Sequence, residues 1–184
     1  MNIIIFGPPG AGKGTQAALI KEAFNLEHLS TGNMFRNAIK NETPVGLKVK
    51  SIMDAGNLVS DEIVVEMVDE ELKDPKYDKG CIFDGFPRTV AQSEAFDNLL
   101  ADKGQNVKAL IALEVPEEEL VRRILSRGQG RTDDTEEGVK NRLKVYHNET
   151  APVLAYYADQ GLVKSINGVG TVDEIFDRIK QALG

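Results

Sequence analysis

Ile3-Ile4-Ile5-Phe6-Gly7-Pro8-Pro9-Gly10-Ala11-Gly12-Lys13-Gly14-Thr15-Gln16-Ala17-Ala18-Leu19-Ile20 places a strand, a glycine-rich turn and a helix in direct succession. The apolar head, Ile3 to Phe6, runs without alternation, as in a strand covered on both faces. Glycines let the backbone curl so that several N–H groups point at one anion. The helix that follows adds its positive N-terminal end. Lys13 supplies a full charge that can reach the β- and γ-phosphates of a nucleotide. The stretch therefore reads as a phosphate-binding loop. The general pattern sets Ser or Thr directly after the lysine to meet Mg²⁺, whereas here Gly14 intervenes before Thr15. A turn whose glycines serve only packing would leave Lys13 idle between strand and helix.

The rest of the chain continues this alternation. Further apolar, β-prone runs fall at Cys81–Phe83, Val107–Val115 and Leu162–Ile166, with helix-like segments between them. Continuous runs separated by helices predict an α/β layer fold with a parallel sheet and right-handed crossovers. Helix starts are expected at Thr31, at Thr43-Pro44, at Ser60-Asp61-Glu62, at Pro116 before three glutamates, and at Asp134 with Glu137 three residues on. The last should open a long helix through Val139, Leu143 and Tyr146, kinked or broken at Pro152. Residues 30–59 are helical without a strand, and residues 126–134 are short, polar and glycine-flanked. Both begin where a parallel sheet binds ligands, beyond the carboxyl ends of its strands, so each is a candidate for a lobe that folds over a ligand.

Composition narrows the function classes. With 184 residues and 41% apolar content the chain suits one compact domain with a substantial core. A net charge of −7 argues against nucleic acid as a partner. The one cysteine, Cys81, lies in an apolar run and is expected to be core. A lone thiol excludes internal disulfides and multi-cysteine zinc sites, and fits a reducing cytosol. No apolar stretch approaches the ~20 residues of a membrane span, and the N-terminus shows no basic n-region, so a cytoplasmic protein with no membrane partner is expected. Of 8 arginines, Arg122, Arg123, Arg127, Arg131 and Arg142 cluster between residues 122 and 142. Arginine grips phosphate oxygens two at a time. A solvated helix face paired with Glu117 to Glu119 accounts for Arg122 but not for the loop that carries Arg127 and Arg131.

Asp84-Gly85-Phe86-Pro87-Arg88 follows the strand Cys81-Ile82-Phe83. An acid at the end of a buried strand beside a phosphate-binding loop is placed to handle Mg²⁺, directly or through water. His28 and His147 lack Cys or His partners at metal-ligand spacing and are expected to be structural or solvated. Tyr156-Tyr157 is expected to be core. The acid pairs Glu70-Glu71, Glu117 to Glu119 and Glu136-Glu137 belong to helix starts and faces, with no acid–base role.

Over essentially its full length the chain resembles an adenylate kinase of the short-lid kind, among the nucleoside monophosphate kinases. Five blocks carry the likeness: Gly7 to Gln16; Leu29-Ser30-Thr31-Gly32-Asn33-Met34-Phe35-Arg36; Gly56-Asn57-Leu58-Val59-Ser60-Asp61-Glu62; Asp84 to Arg88 with Gln92; and Gly130-Arg131-Thr132-Asp133-Asp134 with Arg142. The Gly14-Thr15 pair is normal in that family. The resemblance implies a P-loop NTPase fold, a five-stranded parallel sheet flanked by helices. Residues 1–29, 60–125 and 135–184 would form the core, 30–59 an NMP-binding lobe and 126–134 a short lid. It implies a monomer that uses Mg²⁺, no zinc, and ATP and AMP as substrates. On the ATP side it implies Gly10, Ala11, Gly12, Lys13, Gly14 and Thr15 around the phosphates, Arg123 and Arg127 closing over them, and Gly170 bordering the base. On the AMP side it implies Thr31 at the base, Leu58 and Val59 walling the adenine, Asn57 among the AMP-binding residues, Arg36 on the α-phosphate, and Gly85, Phe86, Pro87 and Arg88 lining the acceptor site, with Arg88 on the phosphate. Gln92 would read the adenine edge. Arg131 and Arg142 would bridge the reacting phosphates, oriented by Asp133 and Asp134. With Lys13, Arg88 and Arg123 they form the expected catalytic set, and Asp84 is the Mg²⁺ residue, through water. Asn33 stands where the family often has Asp, with little effect expected, and the segment 127–134 is short even for a short lid.

Three other readings compete. A UMP or CMP kinase shares the fold, but in the family's logic Thr31 and Gln92 favour adenine. A GTP-binding switch would need an Asn-Lys-x-Asp segment, which is absent. A nucleotide-binding regulatory module without turnover is at odds with the joint presence of Lys13, Asp84, Arg88, Arg123, Arg131 and Arg142.

Overall fold

A computed structural model describes residues 1–128, 130–132 and 134–184. Strand β1 (Asn2–Phe6) is buried along its whole length and occupies the centre of the sheet. It pairs in parallel with β3 (Cys81–Asp84) on one side, Ile3 opposite Ile82, and with β4 (Val107–Glu114) on the other, Ile4 opposite Leu110. Strand β2 (Glu27–Ser30) flanks β3 and β5 (Val163–Asn167) flanks β4, giving five parallel strands in the order β2-β3-β1-β4-β5. This is the expected α/β architecture. The strand β2 carries no apolar run. Only Leu29 of its four residues is buried, which suffices for an edge strand with one anchor.

The continuous apolar runs divide by alternate residues between two cores. Ile4, Phe6, Phe83 and Leu110 pack to one side with Phe86, Phe96, Leu100 and Tyr157. Phe96 meets the rings of Phe83 and Phe86 edge-on at 4.5 and 5.1 Å. Ile3, Ile5, Ile82 and Ile111 pack to the other side with Ile20, Ile124 and Ile179. Each such fully buried side chain contributes about 1.5–3 kcal/mol. Cys81 is buried in the first core, and burial pushes its thiol pKa far up, so it behaves as an inert apolar residue.

Helices α1 (Lys13–Phe24), α6 (Glu117–Ser126), α7 (Glu136–Val145) and α9 (Val172–Leu183) supply side chains to the second core. Helices α4 (Asp61–Glu71), α5 (Val90–Asp102) and α8 (Pro152–Ala158) supply the first. Helices α2 (Thr31–Lys40) and α3 (Pro44–Asp54) pack against each other as a hairpin between β2 and α4.

Two expected caps shift by one residue. Ser30, not Thr31, caps α2, its hydroxyl accepting from Asn33 N at 3.3 Å. Thr135, not Asp134, caps α7, accepting from Gly138 N at 3.0 Å. In both cases the displaced residue has a partner elsewhere. The hydroxyl of Thr31 donates to Gly85 O at 2.9 Å, and Asp134 binds arginines. The break expected at Pro152 takes the form of a π-helical turn, Tyr146–Thr150, between α7 and α8. Ala151 N donates to Tyr146 O, five residues back, at 2.8 Å. The widened turn makes room for a residue without an N–H donor. Among the described residues no helix is long and apolar enough to cross a membrane.

Candidate active site

A cavity of about 850 Å³ opens beyond the carboxyl ends of β1, β2 and β3. Its floor is the glycine loop. Gly10 has a φ of 83°, and a Cβ there would stand 2.8 Å from Ile124 Cγ1 and 2.9 Å from Leu120 O, so only glycine lets the loop lie against α6. Gly12, Lys13, Gly14 and Thr15 line the cavity. Lys13 Nζ donates to Gly7 O and Pro8 O at 2.9 and 3.0 Å. Burial, reinforced by Arg88, Arg142 and Arg131 and opposed by Asp84, lowers its pKa to about 7.

Asp84 ends β3 facing this loop, and a Cβ built on Gly14 would lie 3.8 Å from its Oδ2. Burial pushes the Asp84 carboxyl up, but the hydrogen bond of His28 and the charges of Lys13 and Arg88 outweigh it and hold the pKa below the ordinary value. His28 Nε2 lies 3.2 Å from Asp84 Oδ2 and lines the cavity. Of the two expectations, structural or solvated, the first describes His28, which is partnered. It lies in β2 two residues before Ser30, so alternation sets both on one face, and both line the cavity. Among the described residues no group of three or more His, Cys, Asp or Glu is placed to hold a metal.

The opposite wall joins distant segments. Gly85 O accepts from both Thr31 Oγ1 and Arg88 Nε, at 2.9 and 2.7 Å. Gln92 Oε1 accepts from Arg88 N at 2.8 Å, and Gln92 Nε2 donates to Asp61 Oδ1 at 2.9 Å. Thr89 Oγ1 donates to the same Asp61 oxygen at 2.9 Å and accepts from Gln92 N, capping α5. The amide of Gln92 is thereby oriented, with one N–H and one lone pair uncommitted by these bonds. Asp61 was legible as an early helix acid and as part of the Gly56–Glu62 block, but not as a partner of Gln92. Phe35, Met53, Leu58, Val59, Val64 and Phe86 give this end an apolar lining, with Asn57 and Pro87 beside them.

Arginines crowd the junction of the two walls. Arg36, Arg88, Arg123, Arg127, Arg131 and Arg142 all line the cavity. Arg123 donates to Glu119 Oε1 at 2.9 Å, Ala11 O at 3.5 Å and Gly168 O at 2.9 Å. Arg127 pairs with both carboxylate oxygens of Asp134, and Arg142 reaches the same carboxylate at 3.3 Å. Arg36 Nη2 donates to Asn33 Oδ1 at 2.6 Å. Arg131 is lowered to about 10 by burial and by Arg36, Arg127 and Arg142, with Asp134 opposing. Arg122 instead forks onto Glu119 at the surface, away from the cavity.

Two expected residues do not line the cavity. Ala11 is buried behind the loop and offers only its carbonyl to Arg123, and Gly170 lies outside, in the loop that Arg123 reaches through Gly168. Asp133 lies outside the described residues. Tyr157 is fully buried and shares Asp97 with Tyr156, as expected of core.

Comparison with known proteins agrees along the whole chain. A family profile described as Adenylate kinase matches residues 5–162. The adenylate kinase of Flavobacterium psychrophilum is 48% identical over 186 aligned residues, covering 100% of this chain and 98% of the relative. That of Maricaulis maris is 49% identical, covering 100% and 98%. That of Thermus thermophilus is 47% identical, covering 99% and 96%. On this similarity, and on a fold and cavity that suit it, the chain belongs to the adenylate kinase family.

Proposed function

We propose that the cavity catalyses reversible phosphoryl transfer from ATP to AMP, giving two ADP, and so balances the adenine nucleotides. One observation carries the reading: the glycine loop with Lys13 and the wall bearing Arg88 and Gln92 open into a single cavity with arginines at their junction. Two polyanions can lie there end to end.

The acceptor phosphate needs no protein base. Its second pKa is about 6, so it is already an anionic nucleophile at neutral pH. The barrier is mutual repulsion, and fixed positive groups reduce it without reorganising during the reaction. Loop N–H groups of Gly10 and of Gly12 to Thr15, with the Lys13 ammonium, hold the donor phosphates, with Arg123 and Arg127 over them. Arg36 and Arg88 hold the acceptor phosphate, and Arg131 and Arg142 span the transferring group. Thr31, Leu58, Val59 and Gln92 receive the acceptor adenine. The helical segment 30–59 acts as the AMP lobe and 126–134 as the lid, excluding water that would otherwise take the phosphoryl group.

Asp84 fits Mg²⁺. It is an anionic carboxylate facing the glycine loop, with Thr15 in the same wall, and it would hold Mg²⁺ through water beside the donor phosphates. When bound, the ion neutralises charge on the β- and γ-phosphates. A monomer working on free nucleotides in the cytosol completes the reading, supported by the acidic balance and the free, buried Cys81.

The test is a coupled assay with ATP and AMP, CMP, UMP or GMP offered in parallel, with Mg²⁺ and with EDTA. AMP should be strongly preferred and EDTA should abolish turnover. Equal rates with all four acceptors, or none with AMP, would overturn the acceptor assignment.

A further inference from the structure

Asn141 has no place among the nucleotide-handling residues above. It lies on α7, immediately before Arg142, and its amide nitrogen donates to two acceptors: Ala55 O at 2.5 Å and Asn57 Oδ1 at 2.9 Å. Both acceptors sit in the loop that leaves α3. Between them stands Gly56, with a φ of 77°, so close to α7 that a Cβ there would be 2.8 Å from Arg142 Cγ and 3.1 Å from Gly138 O. Gly56, Asn57 and Arg142 all line the cavity. A second link lies further out, where Thr132 Oγ1 donates to Asp54 Oδ1 at the end of α3.

We infer that Asn141 is a positioning residue for the acceptor nucleotide: by pinning the exit loop of the 30–59 lobe to α7, it makes the place of that lobe and the place of Arg142 one variable. The inference rests on the reading that this lobe receives AMP. The two ends of the lobe are held differently. At its entry, β2 is hydrogen-bonded into the sheet along its length. At its exit, the Ala55–Asn57 loop lies outside any ladder, and a left-handed glycine turns it back toward α7. An amide with two N–H groups meeting two oxygens fixes that turn. The residue type matters. Aspartate has the same size but cannot donate, so it repels the fixed Ala55 carbonyl, and Asn57 can answer it only by turning its own amide nitrogen inward. Alanine removes the link without adding repulsion.

The test is steady-state kinetics of Asn141→Asp and Asn141→Ala with ATP and AMP varied separately, alongside melting curves. KM for AMP should rise about two- to fourfold in Asn141→Ala and about five- to tenfold in Asn141→Asp, as expected for one or two lost hydrogen bonds. KM for ATP should stay within about 1.5-fold, since among the described residues no hydrogen bond joins the Gly7–Thr15 loop to Ala55–Asn57. In an Asn57→Ala background the aspartate penalty should grow, because the amide that could turn a donor toward the carboxylate is gone. A merely structural role would lower kcat with the active fraction and leave both KM values in place. That outcome, or an equal rise in both KM values, would overturn the inference. If Asn141→Asp fails to fold, Asn141→Ala carries the same test. A wild type that does not phosphorylate AMP would defeat the acceptor reading and this inference with it. A wild type that does, beside variants with unchanged KM for AMP, would defeat this inference alone.

Discussion

The two walls of the cavity are built from different materials. The donor wall is largely main chain, a single contiguous loop from Gly7 to Thr15 whose conformation is set by glycines and by contact with α6. The acceptor wall is a set of side chains and carbonyls from separate segments, each held by another: Thr31 and Arg88 on Gly85 O, Gln92 on Arg88 N and Asp61, Thr89 on Asp61. A wall of backbone dipoles recognises charge and is indifferent to what lies beyond it. A wall of cross-braced side chains recognises shape and hydrogen-bonding pattern. The first suits a triphosphate, whose grip can be the same for any base, and the second suits a monophosphate that must be told apart from its analogues.

The largest effects should come where either wall places full charge on the transferring group. Arg88→Ala should cut kcat by about 10³-fold or more, and Lys13→Met comparably, because each places a full charge on the reacting phosphates. Circular dichroism should show both variants folded, since neither residue belongs to the two apolar cores. Unchanged kinetics in Arg88→Ala would remove it from the site. A mild Lys13→Met would mean that backbone dipoles alone suffice on the donor wall, and the contrast between walls would be sharper than drawn here.

A second difference is protonic. Lys13 has a pKa lowered to about 7, against about 10.4 for an unfolded lysine. Two consequences follow with definite sign. Between these values the unfolded chain binds more protons than the folded one, so this group makes stability rise with pH from about 7 to about 10. Binding of a polyanion beside Lys13 favours its charged form, so ATP binding at pH 8 should take up a fraction of a proton and weaken as pH rises. Calorimetry of ATP binding in buffers of different ionisation enthalpy measures that uptake directly. It should vanish in Lys13→Met. Uptake that persists in the variant would assign the proton to another group.

The same contrast explains what could be seen in the amino-acid sequence. The donor wall was legible because its parts are adjacent in the chain: strand, glycines, lysine and helix within twenty residues of the N-terminus. The sheet was legible in β1, β3 and β4, which bury both faces, and in β5, which the run Leu162–Ile166 marks although only Ile166 is buried. It was not legible at β2, an edge strand with one buried residue. The acceptor wall hides because its logic is non-local. Asp61 acts on a side chain 31 positions away, His28 on one 56 away, and Asn141 on groups 84 and 86 away. Nothing in the local pattern distinguishes Asp61 from any acid in a first helical turn. Family resemblance supplied Gln92 and Arg88, but not the contacts that hold them. Asp134 shows the limit from the other side: its spacing to Glu137 read as a cap, yet its carboxylate binds Arg127 and Arg142 while Thr135 does the capping.

Selectivity should therefore reside on the acceptor wall alone. Gln92→Ala should lower the preference for AMP over CMP, as a ratio of kcat/KM values, by about tenfold, while kcat with AMP changes by less than about threefold. Parallel assays with the two acceptors read both quantities. A fall in kcat with the ratio intact would make Gln92 a brace for Arg88 N and not a reader of the base.

The smallest effect tests whether the bracing itself matters. Asp61 Oδ1 takes both the Gln92 amide and the Thr89 hydroxyl. With Asp61→Ala, only the Arg88 N–H still distinguishes the two ends of the Gln92 amide, since a flip would set its NH₂ against that donor. One neutral hydrogen bond is worth about 0.5–1.5 kcal/mol, so a minority of flipped amide becomes accessible and selectivity should fall by up to about twofold. Asp61→Asn is the informative partner. Its amide oxygen can accept both bonds as Oδ1 does now, so selectivity should return to within about 1.5-fold of wild type although a negative charge is gone. If instead the asparagine variant behaves like alanine, the carboxylate acts through its charge on the nearby cations, and the acceptor wall is governed by the same electrostatics as the donor wall.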